Sequence, residues 1–401
     1  MQMSSAATLR TAESVDRLAV EGALAVLDRA TALSAAGHPV INLGIGQPDF
    51  ATPPHIVEAA VKALHDGHHG YTPAGGIPVL RNAVADDVAA RRGAAIDPDH
   101  VLVVPGGKMA ITFAILMFGE PGAEILYPDP GFPIYRSVID YTGATGVPIP
   151  HTEANGFAFD AETVLSLITP ASRLLILNSP SNPTGGVTPR AEVERLVAGL
   201  AARPHVAVLS DEIYSRIVYD AAAHVSLLEY PEIRDRVIML DGWSKTFAMT
   251  GWRLGYAVWP ADLIETAKRL AINFHSCVNA AAQYAGIAAL TGPQQPVDDM
   301  VAAFADRRRI IVAALNGLPG VGCAVPGGAF YAFPNIAGTG WQADALADTL
   351  LEETGVAVLA GGGFGALGDG YLRVSYADSA ENLREAAERM GRFLADRPPP
   401  N

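Results

Sequence analysis

Residues 237–258 read VIMLDGWSKTFAMTGWRLGYAV, and the rest of the chain can be organised around them. The apolar run 237–240 predicts a short buried strand, and 254–258 predicts another. Between them sits Lys245, among small and aromatic residues that leave its ammonium poorly solvated. Desolvation disfavours the charged form. A lysine partly neutral near pH 7 can attack an aldehyde and hold it as a Schiff base. Ser244 and Arg253 add a hydroxyl and a fixed positive charge nearby, groups that suit a phosphate. The stretch therefore predicts a phosphate-bearing aldehyde cofactor just past the end of a buried strand.

Further apolar runs lie at 101–104, 124–127, 173–177 and 206–210, separated by helical stretches. Strands that are apolar on both faces and alternate with helices predict a mostly parallel sheet covered on both sides. The expected fold class is α/β, a three-layer sandwich with a mostly parallel central sheet. Helices are expected at 15–36, 54–66, 77–93, 296–315 and 380–396. After about residue 295 the chain becomes strand-rich and Gly-rich before its last helix. The expected division is a large domain over 49–295 and a smaller α+β domain built from 1–48 and 296–401.

Composition narrows the class. The 401 residues are 50% hydrophobic and carry a formal net charge of −14, with no basic footprint for nucleic acid. No run of roughly 18 apolar residues occurs, so no membrane span is expected. The N-terminus lacks a basic segment followed by an apolar core. Two cysteines, Cys277 and Cys323, without a CxxC pair, fit a reducing compartment, and a cytoplasmic location is expected. The histidines form no metal constellation, and no metal is expected.

In open α/β sheets, ligands sit beyond the carboxyl ends of the strands. Polar residues recur at those places here. Gly106-Gly107-Lys108 comes after 101–104 and opens a helix, which offers backbone N–H groups to an anion. Phe132 comes after 124–127 and could stack on an aromatic ring. Asn182, between prolines after 173–177, can donate to a phenolate oxygen. Asp211, after 206–210, can pair with a protonated pyridine nitrogen, and Tyr214 can reach the same phenolate as Asn182. Taken singly, Asp211 reads as an ordinary strand-end aspartate. Arg373 lies inside an apolar run and needs an anion: a substrate carboxylate or a structural Asp or Glu. Residues 363–368, GFGALG, match a dinucleotide fingerprint. The residues after them read as turn and strand rather than helix, so the segment is expected to form a flexible loop.

Together the motifs resemble the class I/II family of fold-type I, pyridoxal-phosphate-dependent aminotransferases over essentially the whole chain. The succession runs from Gly46-Gln47-Pro48-Asp49-Phe50 and Tyr71-Thr72-Pro73-Ala74-Gly75 through Gly106-Gly107-Lys108, Asn182-Pro183-Thr184-Gly185 and Asp211-Glu212-Ile213-Tyr214 to Ser244-Lys245, Arg253 and Arg373. The resemblance implies transamination between an L-α-amino acid and a 2-oxo acid, with pyridoxal 5'-phosphate on Lys245, which also serves as base. It implies that Asp211 pairs with the pyridine nitrogen, that Asn182 and Tyr214 bind the phenolate, and that Phe132 stacks on the ring. The Gly107 and Lys108 amides, Ser244 and Arg253 would hold the phosphate. Tyr71 would reach the phosphate of a neighbouring subunit, which implies a homodimer. Arg373 would clamp the substrate α-carboxylate, with Gly46 and Asn182 closing over it.

The chain departs from the family pattern at Gly361-Gly362-Gly363, where a proline is common, and glycine there adds loop freedom. No residue is assignable from sequence as a distal cation for a dicarboxylate side chain. β- or γ-elimination, replacement and oxidation use the same fold and cofactor residues, and the sequence leaves them open. A regulatory sensor module would need a separate upstream domain, and fewer than about 50 residues precede the large domain.

Overall fold

The computed structural model describes residues 9–20, 22–220, 222–397 and 399. After β1 (Ile41–Asn42), seven strands form the main sheet. They are β2 (Val101–Val104), β3 (Glu124–Asp129), β4 (Thr145–Pro150), β5 (Ser172–Asn178), β6 (Ala207–Asp211), β7 (Val237–Gly242) and β8 (Gly255–Val258). Their order across the sheet is β2-β8-β7-β6-β5-β3-β4. All pairings are parallel except those of β8, which runs antiparallel to both β2 and β7. The carboxyl ends of β2, β3, β5, β6 and β7 thus share one edge, and β8 begins there.

Every strand expected from the apolar runs is present, with ends shifted by a residue or two. Within the main sheet, β4 is the one the apolar pattern missed. Its sequence, TGVPIP, carries a glycine and two prolines, which read as a loop. It tolerates them because it lies at the sheet edge, where a missing N–H costs no ladder bond. The direction of β8 is likewise invisible in hydrophobicity.

Apolar side chains cover both faces of the main sheet. One cluster includes Val101, Val103, Val208 and Trp243, and the other Leu102, Val104, Ile176 and Leu240. This alternation along each strand is the period-two pattern of a sheet buried on both sides. The helix Pro54–His65 packs on Ala280–Thr291, and Gly107–Phe118 packs on Ile134–Thr142.

The rest of the chain builds two small sheets. β1 pairs in parallel with β10 (Val356–Ala357). β11 (Leu359–Ala360) and β9 (Tyr331–Ala332) flank β12 (Leu372–Ser375) in antiparallel fashion. A third large cluster joins Ile41 and Leu43 to Phe304, Leu350, Val374 and Phe393, so both ends of the chain share one core. Tyr214, Ile217 and Tyr219 enter that core from beyond β6. The helix Gln295–Asn316 spans the two regions, with Val297 in the sheet's core and Met300 to Leu315 in the other.

The helix expected over 15–36 is divided into Glu13–Asp16 and Gly22–Ala35. Tertiary contacts override its helical periodicity. Arg17 Nε and Nη2 donate to the carbonyls of Asp140 and Tyr141 at 2.6 and 2.8 Å, and Ala19 N donates to Ser137 Oγ at 2.9 Å. The final helix, Ala380–Asp396, begins where expected, with Ser379 Oγ accepting from Asn382 N at 3.0 Å, an N-cap that satisfies one open N–H. Among the described residues no helix is long and apolar enough to cross a membrane. Cys277 and Cys323 are both free thiols.

Candidate active site

A cavity of about 330 Å³ opens at the carboxyl edge of the main sheet, within the size range of small-ligand sites. It collects residues from segments far apart in the chain. Gly46, Gly107, Lys108, Phe132, Asn182, Asp211, Tyr214, Ser244, Lys245, Arg253 and Arg373 all line it. Of the residues singled out in the sequence, only Tyr71 does not, and its side chain stands 96% exposed.

The register of the sheet sets the depth of the site. Asn178 and Asp211 are paired neighbours at the ends of β5 and β6, and Asp211 in turn faces Leu240 on β7. Asn178 ties the row together. Its Nδ2 donates to the Asp211 carbonyl at 3.0 Å, and its Oδ1 accepts from Asn182 N at 2.9 Å. β7 ends at Gly242, and a single helical turn, Trp243–Thr246, then lifts Lys245 into the cavity. Trp243 is fully buried and anchors that turn by donating from Nε1 to the Gly286 carbonyl at 3.0 Å. Lys245 is half-buried, and its Nζ donates to the Gly46 carbonyl at 2.6 Å.

At the other end of the cavity the helix Gly107–Phe118 begins beside Ser244 and Arg253. The first N–H groups of a helix lack intrahelical acceptors and carry its positive dipole end, so an anion fits there. Gly106, which precedes the helix, has φ 89°, and a Cβ on it would collide with Arg253 Nη2. Only glycine allows the guanidinium that close to the helix start. Arg253 itself adopts the left-handed conformation at φ 53°, and its Nη1 donates to the Thr250 carbonyl at 2.8 Å.

Arg373, on β12, is 3% exposed. Its Nη1 donates to Asn182 Oδ1 at 2.9 Å and its Nη2 to the Gly44 carbonyl at 2.5 Å. Both of these acceptors are oxygens of uncharged groups. The guanidinium lies over the rings of Tyr331 and Phe364, with centroids 4.6 and 4.8 Å away. Stacking on aromatic faces and two fixed donor bonds pre-set a planar fork that could receive a carboxylate.

Two adjacent carboxyls at the floor of the site are driven in opposite directions. Burial pushes Asp211 up to about 6, against donation from Tyr135 Oη to its Oδ2 at 2.7 Å and from Ile213 N to its Oδ1 at 3.2 Å. Burial would also raise Glu212, but His224 and Arg92 hold it at about 2. Glu212 Oε2 accepts from Arg92 Nε at 2.7 Å and lies 2.9 Å from His224 Nε2, while Asp241 takes the other arm of Arg92. Glu212 is thus committed to a structural ion cluster, and Asp211 is the carboxylate left to face a cation in the cavity.

The raised Asp211 makes stability depend on pH. Its folded value lies above the ordinary 3.8, so its contribution to stability is present below about pH 4 and is lost as pH rises through about 6. Asp211→Asn removes that loss. The cofactor-free variant should be more stable than the wild type at pH 8, by on the order of 1–3 kcal/mol, with the gain shrinking towards pH 4. Calorimetric melts at the two pH values check this, and an equal shift at both would refute it.

Three contributors were not picked out from sequence: Asn178, Tyr135 and Tyr331. Tyr331 Oη meets Tyr214 Oη at 2.8 Å and stacks against Arg373. Asn178 sits at the same strand end as Asn182, and that position was the available signal. Nothing local marks the two tyrosines.

Comparison with known proteins supplies the family. The family model for aminotransferase class I and II matches residues 38–390. The chain belongs to that family. It is 40% identical over 396 residues to an aspartate aminotransferase of Geobacillus stearothermophilus, covering 97% of this chain and 100% of the other. The crystal structure of the aspartate aminotransferase from Rhizobium meliloti superposes with a TM-score of 0.91 at 34% identity, covering 97% and 99% of the two chains. An alanine aminotransferase from Pyrococcus furiosus gives 0.89 at 31% identity, covering 97% and 100%. The protein is a pyridoxal-phosphate-dependent aminotransferase of the α/β three-layer fold. Amino-group transfer, rather than elimination, replacement or oxidation, is the outcome carried by the family and by its named relatives.

Proposed function

We propose that this aminotransferase holds its cofactor with the residues that line the cavity and takes a dicarboxylic L-amino acid as a donor. The observation that carries the reading is the meeting of Lys245, Asp211 and Arg373 on one cavity. An amine, a buried carboxylate and a buried guanidinium answer to an aldehyde, a pyridine nitrogen and an α-carboxylate. The donor set fits the group. Gly107, Lys108, Ser244 and Arg253 gather where a phosphate would bind, Asn182 and Tyr214 where a phenolate would, and Phe132 offers a ring for stacking.

Bound pyridoxal phosphate supplies an aldehyde that takes up the amino group and a ring that accepts electrons from the reacting carbon. The chain does the rest. Lys245 Nζ would hold the aldehyde and, once displaced, carry the proton from the substrate Cα. Asp211 would keep the pyridine nitrogen protonated. Arg373 would fix the α-carboxylate and with it the direction of the Cα–H bond, and such orientation is a large part of the rate.

The preference for a dicarboxylate rests on Lys108. Its Nζ lies 5.4 Å from the centroid of the Phe132 ring, and both residues line the cavity. A second cation is thus at hand for a distal carboxylate, beyond the backbone role expected from sequence. Lys108→Met should lower kcat/KM for L-aspartate about tenfold, as for loss of a charged hydrogen bond, and leave L-alanine within about twofold. An equal loss for both donors would refute the preference.

Two further features complete the reading. Tyr71 is exposed on its own chain, as it would be if it served the phosphate of a second subunit in a homodimer. The separate core shared by both chain ends supports a division into 49–295 and a smaller unit of 1–48 and 296–401, with the cavity between them.

A further inference from the structure

Residues 363–368 look like a phosphate-binding fingerprint, but the ligand of their backbone is a carboxylate of the protein itself. They fold as two short 3₁₀ turns, Gly361–Phe364 and Ala366–Gly368, rather than as the start of a helix. Asp129, the last residue of β3, is 4% exposed and faces these turns. Its Oδ2 accepts from Ala366 N at 3.2 Å and its Oδ1 from Leu367 N at 3.1 Å. Two residues along, Gly131 N donates to the Phe364 carbonyl at 2.8 Å. Gly365 has φ 134°, and a Cβ there would collide with Asp129 Oδ1. Gly365 thus serves the close approach of this carboxylate, whereas a Cβ on Gly368 would meet the Gly361 carbonyl.

The contact joins two parts of the molecule. Asp129 belongs to the main sheet, whereas the turns lie between β11 and β12. The turns also carry Phe364, whose ring packs on the Arg373 guanidinium. A buried carboxylate is costly without donors, and two converging N–H groups are a strong, directional answer. Burial raises the Asp129 carboxyl, and the amides of Leu367 and Ala366 oppose that rise. The loop freedom expected from Gly361-Gly362-Gly363 is limited further by the bond from Gly361 N to the Tyr371 carbonyl at 2.8 Å.

We propose that Asp129 is a positioning residue for substrate binding: through residues 364–367 it holds Phe364 against Arg373 and so fixes the aim of the guanidinium. The proposal rests on the reading of Arg373 as the clamp for the substrate α-carboxylate. It assigns a role to a side chain that is not among those lining the cavity.

The test compares Asp129→Asn, Gly365→Ala, Arg373→Ala and the Asp129→Asn/Arg373→Ala double variant of the full chain. For each, KM and kcat for the amino donor, the Kd of succinate by calorimetry and the Kd of pyridoxal phosphate for the cofactor-free protein are measured. Asparagine keeps one acceptor and turns an amide towards the second N–H, so a charged hydrogen bond is lost. Asp129→Asn should raise KM and the succinate Kd about tenfold, with kcat and the cofactor Kd within about twofold. Gly365→Ala, which breaks the contact from the loop side, should do the same. The double variant should bind no worse than Arg373→Ala alone, because Asp129 acts through that arginine. Unchanged KM in both single loop variants, or additive losses in the double variant, would overturn the proposal while Arg373→Ala still raised KM. A cofactor Kd that rises with the substrate KM would also overturn it, by assigning Asp129 to Phe132 and the cofactor instead. An Arg373→Ala variant with unchanged KM would instead refute the clamp. If Asp129→Asn fails to fold, Gly365→Ala decides by the same criteria.

Discussion

Lys245→Ala should lower the rate of transamination by on the order of 10⁴-fold or more while leaving the fold intact. Two functions are lost together. The alanine offers no amine to hold the cofactor aldehyde, and no base at the substrate Cα. The fold should survive because Lys245 is only half-buried, and the turn that presents it is anchored by Trp243 instead. Borohydride reduction followed by peptide mass analysis separates the two effects. The wild type should carry the cofactor's mass on the Lys245 peptide, and the variant should carry none. A variant that kept the visible absorbance of lysine-bound cofactor would show that another amine holds it.

Arg373→Ala should raise KM for the amino donor and lower kcat/KM about 10²- to 10³-fold, the range for truncating one partner of a buried charge pair. The cofactor should still bind, because the residues gathered for phosphate and ring stand on other elements of the main sheet's edge. Arg373→Lys should recover little. A single ammonium cannot reproduce the pair of bonds to Asn182 and Gly44 or the stacking on Tyr331 and Phe364. Steady-state kinetics with both variants check this. A loss confined to kcat, with KM unchanged, would move Arg373 from substrate binding to the chemical step.

The legible parts of this molecule were those with a local cause. Strands buried on both faces must be apolar throughout, so β2, β3, β5, β6 and β7 stand out from their sequence alone. Residues just beyond their carboxyl ends then fall on one edge, which is why Asp211, Lys245 and Gly107 could be gathered before any geometry was known. The helix 15–36 failed for the opposite reason: bonds from Arg17 and Ala19 to a helix more than a hundred residues away outweigh its periodicity. β4 was hidden by its prolines, which only an edge position permits. Tyr135 reaches Asp211 across 76 residues and Tyr331 reaches Tyr214 across 117. No spacing in the sequence encodes either contact. The GFGALG segment shows the limit of motif reading most directly. Its central glycine, Gly365, is required, but by Asp129 rather than by a phosphate.

The central claim is that this cavity moves an amino group from a dicarboxylic amino acid to its cofactor and only then to a 2-oxo acid. The most direct test is a single half-reaction. Loaded enzyme is mixed with L-aspartate and no acceptor, and the 2-oxo acid released is counted per chain. The account predicts one equivalent of oxaloacetate, a halt, and renewed release when a 2-oxo acid is added. Continuous release of ammonia without an acceptor, or no product at all, would contradict it.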